Sequence, residues 1–212
     1  MIKAIVFDFD GVILESANLK TGAFRRLFEE EHRDKIEAIV EYHCRNMGIS
    51  RFVKFRHIYE HILRKPYSAE LEKQLGLRFE ELIQDEILRS PFVPGSVEFL
   101  KKKRDALPMF VASGTPDGEL REIAKKMGVS EYFKELHGSP KEKKDILRDI
   151  LKRFGWKPEE VAFVGDAESD LLASKTAGVH FIGRTGNGNL SREECRYSID
   201  DLRQLETTLA KI

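Results

Sequence analysis

Short apolar runs alternate with amphipathic segments over much of the chain. The run Ala4–Phe7 is apolar and partly β-branched, which indicates a buried strand. Similar runs predict further strands at 109–112, 135–137, 161–164 and 179–182. Apolar residues at helical spacing predict helices at 97–103, 117–127, 141–154, 171–177 and from about residue 201. This alternation predicts an α/β fold in which a mostly parallel sheet carries helices on both faces.

The segment after the first strand follows a different pattern. From residue 15 to about residue 92 there is almost no strand signal, and helical spacing dominates. It predicts helices at 17–31, 36–47, 51–64, 68–75 and 79–88, with Gly48 closing the second helix and Ser50 capping the third. We therefore predict an all-helical insertion, residues 15–92, in a core formed by residues 1–14 and 93–212.

Composition excludes several classes of partner. Lys plus Arg and Asp plus Glu number 36 each, so no overall basic field would attract nucleic acid or an anionic membrane. No apolar run approaches membrane-spanning length. The two cysteines, Cys44 and Cys195, lack the spacing of a zinc or redox motif. We expect a cytoplasmic protein with reduced thiols, and the sequence leaves its oligomeric state open.

Polar residues follow several of the predicted strands. Asp8 and Asp10 place two carboxylates on one face at the end of the first strand, and Gly11 lets the chain turn. Neighbouring carboxylates persist in a buried position only if a cation or a shared proton relieves their repulsion. An ordinary turn with an Asp at each end is the alternative. Ligands of parallel sheets bind beyond the carboxyl ends of the strands, so these residues should converge with those of the next two strands.

Two later strand ends supply further groups of this kind. Ser113 offers a hydroxyl, and Gly114 lets a backbone N–H approach an anion closely, although a polar turn is the simpler explanation. Asp166 and Asp170 lie four residues apart after another buried strand. Together with the first two acids they form an oxygen cluster suited to Mg²⁺, although Asp170 could instead be a first-turn helix acid.

The segment 138–144 opens the predicted helix 141–154. Ser139 as N-cap and Glu142 three residues later have the spacing of a capping box. The first turn nevertheless carries the wrong charge for the helix dipole, because it contains three lysines, Lys141, Lys143 and Lys144. Such a broken rule favours an anion site in which one lysine offsets the charge of the ligand. A solvated run of charges explains the other two lysines equally well.

These four motifs, DFDGV, SGT, a lysine that opens a helix and GDAESD, occur in an order that resembles the haloacid dehalogenase superfamily of phosphohydrolases. The helical insertion is similar to the C1 cap of its β-phosphoglucomutase and phosphoglycolate phosphatase branches. The resemblance covers nearly the whole chain. It implies a Rossmann-like three-layer core, an inserted cap domain and a Mg²⁺ cofactor.

The resemblance also implies roles for the acids. Asp8 would attack phosphorus and form an aspartyl-phosphate, while Asp10 would protonate the leaving oxygen and then accept a proton from water. Mg²⁺ would be held by the Asp8 carboxylate, the Asp10 backbone carbonyl and Asp166, with Asp170 either binding directly or supporting the ligands.

The remaining motif residues would hold the transferring phosphoryl group. The resemblance assigns this role to Ser113, the Gly114 amide and one lysine. The Gly-Ser-Pro-x-x-Lys spacing favours Lys143, and Lys141 and Lys144 stay open as alternatives.

The expected activity is a Mg²⁺-dependent phosphatase acting on a small phosphorylated metabolite, with sugar phosphates as one candidate class. In the family that the chain resembles, enzymes that cleave carbon–halogen bonds lack an acid at the position of Asp10, and those that cleave phosphonates carry alanine there. The resemblance therefore implies phosphate-ester hydrolysis or phosphoryl transfer. The cap should select the substrate, with Lys20, Arg51 and Lys54 as specificity candidates, although a solvated basic face would also explain Arg51 and Lys54. A phosphomutase would use the same motifs and is the alternative, and a receiver-like switch or a non-catalytic phosphate-binding protein ranks below it.

Overall fold

A computed structural model describes residues 1–212 and contains one six-stranded sheet. The strands are β1 (Ala4–Phe7), β2 (Met109–Pro116), β3 (Glu135–Ser139), β4 (Val161–Gly165), β5 (His180–Arg184) and β6 (Tyr197–Ile199). Their order is β3-β2-β1-β4-β5-β6, and every neighbouring pair is parallel. The predicted α/β class with a mostly parallel sheet is therefore confirmed.

Nine α-helices accompany the sheet. They are α1 (Ala17–Glu29), α2 (Ile36–Arg45), α3 (Arg51–His57), α4 (Ala69–Leu88), α5 (Ser96–Lys103), α6 (Asp117–Lys126), α7 (Lys143–Phe154), α8 (Glu168–Ala177) and α9 (Leu205–Leu209). Helices α1 to α4 follow β1 with no strand among them, in agreement with the helical pattern of that segment. The limits predicted for the insertion, residues 15–92, stay a prediction. None of the helices combines the length and apolarity needed to cross a bilayer.

The strands bury both of their faces, which explains why they appear in the sequence as continuous apolar runs. In β1, Ile5 and Phe7 point into one apolar cluster, while Ala4 and Val6 point into the other. Helices α7 and α8 cover the second face. The first cluster continues into the four inserted helices, where Phe24, Phe28, Phe55 and Phe79 pack against one another.

Helix α4 corrects the predicted pair of short helices at 68–75 and 79–88. It is continuous over 20 residues and capped by Ser68, whose hydroxyl accepts a hydrogen bond from Leu71 N–H. Gly76 lies inside the helix, and the ring of Phe52 packs against it. A Cβ there would approach that ring to 2.9 Å.

Other elements also differ from the predicted ones. Helix α2 ends at Arg45 rather than 47, so Gly48 does not close it. Helix α7 begins at Lys143, with Glu142 at its N-cap position. Ser139 instead belongs to β3, so the predicted capping box is absent. Strand β6 was not predicted, because its three residues lie at the sheet edge and two of them are half-buried. Helix α3 continues to Leu63 as a π-helical segment, close to the predicted end.

Candidate functional site

The Lys143 side chain lies between two buried carboxylates at the carboxyl edge of the sheet. Its ammonium donates hydrogen bonds to Asp8 Oδ2 at 2.8 Å and Asp170 Oδ1 at 2.6 Å. Burial by itself lowers the pKa of Lys143, but these two carboxylates outweigh it and raise the pKa. Burial raises the pKa of Asp8 to about 7 against the opposing effect of Lys143. Lys143, the first residue of α7, thus reaches the carboxylate that follows β1.

The fold gives the three lysines of segment 138–144 different surroundings. Lys143 is 7% exposed, whereas Lys141 and Lys144 lie at the surface and pair with Asp149 and Glu142. Of the three candidates, Lys143 alone reaches the carboxylates of the site.

Asp166 and Asp170 follow β4 beside Asp8. Asp166 Oδ2 accepts hydrogen bonds from the side-chain amides of Asn187 at 2.6 Å and Asn189 at 3.0 Å. Asp170 Oδ2 accepts from the Asp166 and Ala167 backbone N–H groups, both at 3.2 Å. Asp170 therefore caps α8, as a first-turn helix acid does, and also pairs with Lys143, while its part in binding Mg²⁺ stays a prediction.

Asp8, Asp166 and Asp170 form a cluster that fits a divalent cation. One oxygen from each carboxylate lies within 4.8 Å of the others, and all three side chains are buried. Burial and the neighbouring acids raise the pKa of Asp166 to about 6 and also raise the pKa of Asp170. Because three carboxylates face the single ammonium of Lys143, two negative charges remain when all are ionised. Oxygen ligands and this charge suit a hard dication.

Asp10 does not belong to the cluster of Asp8, Asp166 and Asp170. Its carboxylate accepts hydrogen bonds from Ser16 Oγ at 2.6 Å, Lys20 Nζ at 2.5 Å and Thr115 Oγ1 at 2.8 Å. Burial by itself raises the pKa of Asp10, but Lys20 and these hydrogen bonds outweigh it and lower the pKa. Two acids only two residues apart thus have opposite pKa shifts.

Ser113 and Gly114 lie at the end of β2, next to the inserted helices. Ser113 is buried, and its hydroxyl accepts a hydrogen bond from Thr115 N–H at 3.1 Å. A Cβ on Gly114 would approach the Gly48 carbonyl oxygen to 2.5 Å, so only glycine permits this contact. Gly48 itself has φ +79°, and the Met47 carbonyl accepts a hydrogen bond from Ser169 Oγ at 2.8 Å. The loop after α2 thus lies directly on the strand ends.

The predicted specificity residues line the same pocket as Asp8 and Asp10. Lys20, Arg51 and Lys54 all border this pocket, which has about 550 Å³ of free space, some of it open to solvent. Arg51 forms a buried ion pair with Glu119 of α6, and its guanidinium lies 4.7 Å from the ring centroid of Phe79. Arg51 and Lys54 are buried rather than part of a solvated face.

Several residues at the site did not stand out in the sequence. They are Ser16, His43, Thr115, Asn187 and Asn189. A signal existed for the two asparagines, because TGNGN follows β5 at the same sheet edge as the other motifs. His43 had no such signal, since it lies in the last turn of α2, far along the chain from the motifs.

A sequence model of the family described as haloacid dehalogenase-like hydrolase matches residues 2–178. The chain belongs to this hydrolase family. The match includes all four motifs, and the structure places their polar residues at one sheet edge. The family predicted from those motifs is therefore confirmed.

Curated relatives within this family are phosphatases. The chain is 26% identical over 188 residues to a phosphorylated carbohydrates phosphatase of Thermotoga maritima, covering 85% of this chain and 84% of that protein. It is 27% identical over 216 residues to phosphoglycolate phosphatase 1 of Pseudomonas aeruginosa, covering 96% and 78%. The predicted enzyme class, a phosphatase of the haloacid dehalogenase family, is confirmed by these matches.

Solved structures of the family share the fold over nearly the full length. A β-phosphoglucomutase from Clostridium difficile superposes with a TM-score of 0.77 at 19% identity, covering 100% of this chain and 96% of that one. A hydrolase from Pseudomonas syringae superposes with a TM-score of 0.81 at 17% identity, covering 99% of each chain. These similarities support the predicted core with inserted helices.

Proposed function

We propose that this enzyme is a Mg²⁺-dependent phosphatase that hydrolyses a small phosphorylated metabolite through an aspartyl-phosphate on Asp8. The observation that carries the proposal is that Asp8, Asp10 and Ser113 line one pocket, while the Lys143 ammonium donates a hydrogen bond to Asp8. The two relatives act, by their names, on phosphorylated carbohydrates and phosphoglycolate. Both belong to the proposed substrate class.

The lining of the pocket supports a small phosphorylated substrate. Lys20 and Lys54 place ammonium groups in the same pocket as Asp8 and Asp10. The loop after α2 covers the strand ends through the contact between Gly48 and Gly114. We propose that residues 15–92 act as a cap that excludes water from the reaction.

The reaction would proceed in two displacements. A carboxylate oxygen of Asp8 attacks phosphorus, and the bond between phosphorus and the leaving oxygen breaks while Asp10 supplies that oxygen with a proton. Lys20 favours ionised Asp10 in the ligand-free site, so the bound phosphate anion would have to raise the pKa of Asp10 for this step. Water then attacks phosphorus and gives a proton to the Asp10 carboxylate, and the bond from phosphorus to Asp8 breaks. Asp8 returns as a carboxylate, Asp10 returns protonated, and inorganic phosphate leaves.

Other residues would stabilise the charge that develops. The Lys143 ammonium, the Ser113 hydroxyl and the Gly114 backbone N–H would donate hydrogen bonds to the phosphoryl oxygens. Asp8, Asp166, Asp170 and the Asp10 backbone carbonyl would hold Mg²⁺, which when bound screens the repulsion between Asp8 and the anionic phosphate.

The test is phosphate release from para-nitrophenyl phosphate and from a panel of sugar phosphates, nucleotides and phosphoglycolate. Turnover should require Mg²⁺, cease with EDTA, and be lost in Asp8→Asn. The matched control is Asp145→Asn, which changes an exposed acid in the first turn of α7 and should keep wild-type turnover. Turnover that survives in Asp8→Asn would overturn the proposed nucleophile. Conversion of a sugar 1-phosphate to an isomer without phosphate release would instead establish a mutase.

A further inference from the structure

Lys54 presents a buried ammonium that has no carboxylate partner. It is 3% exposed, lies on α3 and lines the same pocket as Asp8 and Asp10. Its Nζ contacts His43 Nδ1 at 3.2 Å and lies 5.4 Å from the ring centroid of Phe24. An aromatic ring compensates a buried cation only partly, and a neutral imidazole carries no charge to balance it.

The other two lysines of the pocket region differ from Lys54 in this respect. Lys20 pairs with Asp10 at 2.5 Å, and Lys143 pairs with Asp8 and Asp170. Both have roles beside the reacting acids that account for their burial. Lys54 has no carboxylate partner. Burial, followed by the positive charges of Lys20 and Lys143, lowers the pKa of Lys54 to about 7.

His43 holds this ammonium in place. It is 3% exposed, its Nε2 lies 3.1 Å from Thr21 Oγ1, and its ring lies 4.1 Å from that of Phe24. Burial, followed by the charges of Lys54 and Lys20, lowers the pKa of His43 to about 2, so the ring is neutral. The contacts assign the tautomer: Nδ1 accepts from Lys54, and Nε2–H donates to Thr21.

We propose that Lys54, positioned by His43, binds a second anionic group of the substrate. The preferred substrates are then phosphate monoesters that also carry a carboxylate or a second phosphate. This inference rests on the proposed phosphatase function and narrows its substrate class. Arg51 does not offer an equivalent charge, because Glu119 already neutralises it. A ligand anion would supply the counter-charge that Lys54 lacks in the chain itself.

The test compares substrates of similar size that differ in their second group. Phosphoglycolate is paired with ethyl phosphate, which lacks the carboxylate, and fructose 1,6-bisphosphate with fructose 6-phosphate. Wild type should favour the member with the second anionic group in at least one pair by roughly tenfold or more in kcat/KM, and the favoured pair identifies carboxylate or phosphate. Lys54→Met should reduce that ratio by roughly tenfold or more, mainly through KM.

Matched variants separate a binding role from a structural one. His43→Phe keeps a ring beside Phe24 but removes the acceptor, so it should raise KM for the substrate that carries the second anionic group. His43→Gln should restore part of the preference for that substrate. Lys65→Met removes an exposed positive charge outside the pocket and should leave the ratio at its wild-type value. Because the buried charge lacks a counter-ion, the thermal midpoint of Lys54→Met without substrate should equal or exceed that of wild type.

The outcomes distinguish this inference from the proposed function. If wild type releases phosphate but shows no preference in either pair, or if Lys54→Met lowers both members of the favoured pair equally, the Lys54 inference is overturned and the phosphatase proposal stands. If wild type releases phosphate from no monoester with Mg²⁺ present, both proposals fail. The wild-type ratios decide the matter even if a variant does not fold.

Discussion

The ammonium of Lys143 and the carboxylate of Asp8 share a 2.8 Å hydrogen bond, although 135 positions separate them in the chain. The bond joins the first turn of α7 to the end of β1 in a region closed to solvent. A phosphoryl group bound at Asp8 would therefore have a fixed positive charge beside it. In the proposed reaction, the Lys143 ammonium would thus already be in place where negative charge develops on the phosphoryl oxygens.

Lys143→Met should reduce kcat/KM for para-nitrophenyl phosphate by about 100-fold or more, because one preorganised donor to the phosphoryl oxygens is lost. Steady-state kinetics measures the effect, and circular dichroism checks the fold. Lys144→Met is the matched control, since Lys144 is adjacent, exposed and paired only with Glu142. Equal losses in the two variants would contradict the role proposed for Lys143.

Lys20→Met should move the pH profile. The Lys20 ammonium and the hydrogen bonds from Ser16 and Thr115 lower the pKa of Asp10, so removing Lys20 should raise that pKa. Protonated Asp10 is the form that donates in the first step, so a higher pKa keeps it active to higher pH. The limb of the kcat/KM profile that falls as Asp10 loses its proton should therefore move to higher pH.

Ethyl phosphate suits this measurement because its alkoxide leaving group needs a proton more than nitrophenolate does. Lys65→Met serves as the charge-matched control and should leave the limb in place. A downward shift in Lys20→Met, or an equal shift with both variants, would show that Lys20 does not set the Asp10 pKa.

Mg²⁺ should stabilise the folded protein as well as support turnover, because it relieves repulsion among Asp8, Asp166 and Asp170. At a concentration 100-fold above Kd the stabilisation should reach about 2.7 kcal/mol, seen as a rise in the thermal midpoint that EDTA reverses. Asp166→Asn removes one ligand charge and should weaken this response together with turnover. The hypothesis fails if wild type and Asp166→Asn show the same Mg²⁺-dependent rise.

Glu119→Gln should destabilise the protein, because it leaves the buried guanidinium of Arg51 without its counter-charge. We expect the free energy of unfolding to fall by about 3 kcal/mol in urea titrations. Glu122→Gln, on the same helix, is the matched control because it breaks only an exposed pair with Lys126. It should change the free energy of unfolding by less than about 1 kcal/mol. Similar changes in both variants would indicate that the Arg51–Glu119 pair adds little.

Local pattern sufficed for the strands that carry the motifs. The strands that end at Phe7 and Gly165 are buried on both faces and flanked by turn residues, so their apolar runs stand out. The parallel order then brings Asp8, Ser113 and Asp166 to one edge, as the alternation of strands and helices predicted. Strand β6 escaped this reasoning because an edge strand of three residues buries too little to leave an apolar run.

Which side chains pair with one another in the site depends on contacts between segments that are distant in the chain. Arg51 and Lys54 share a face of α3, yet Glu119 from α6 neutralises the first, and His43 from α2 holds the second. Asn187 and Asn189 gain their role only because β5 lies beside β4.

The sequence by itself determined the fold class, the acids at the strand ends and the family, because these follow from periodicity and from motifs a few residues long. Only the tertiary structure decided which lysine meets Asp8, why Asp8 and Asp10 differ in pKa, and which cap lysine lacks a counter-charge. Electrostatic partners are set by distances of a few ångströms between segments far apart in the chain, and local pattern does not specify those distances.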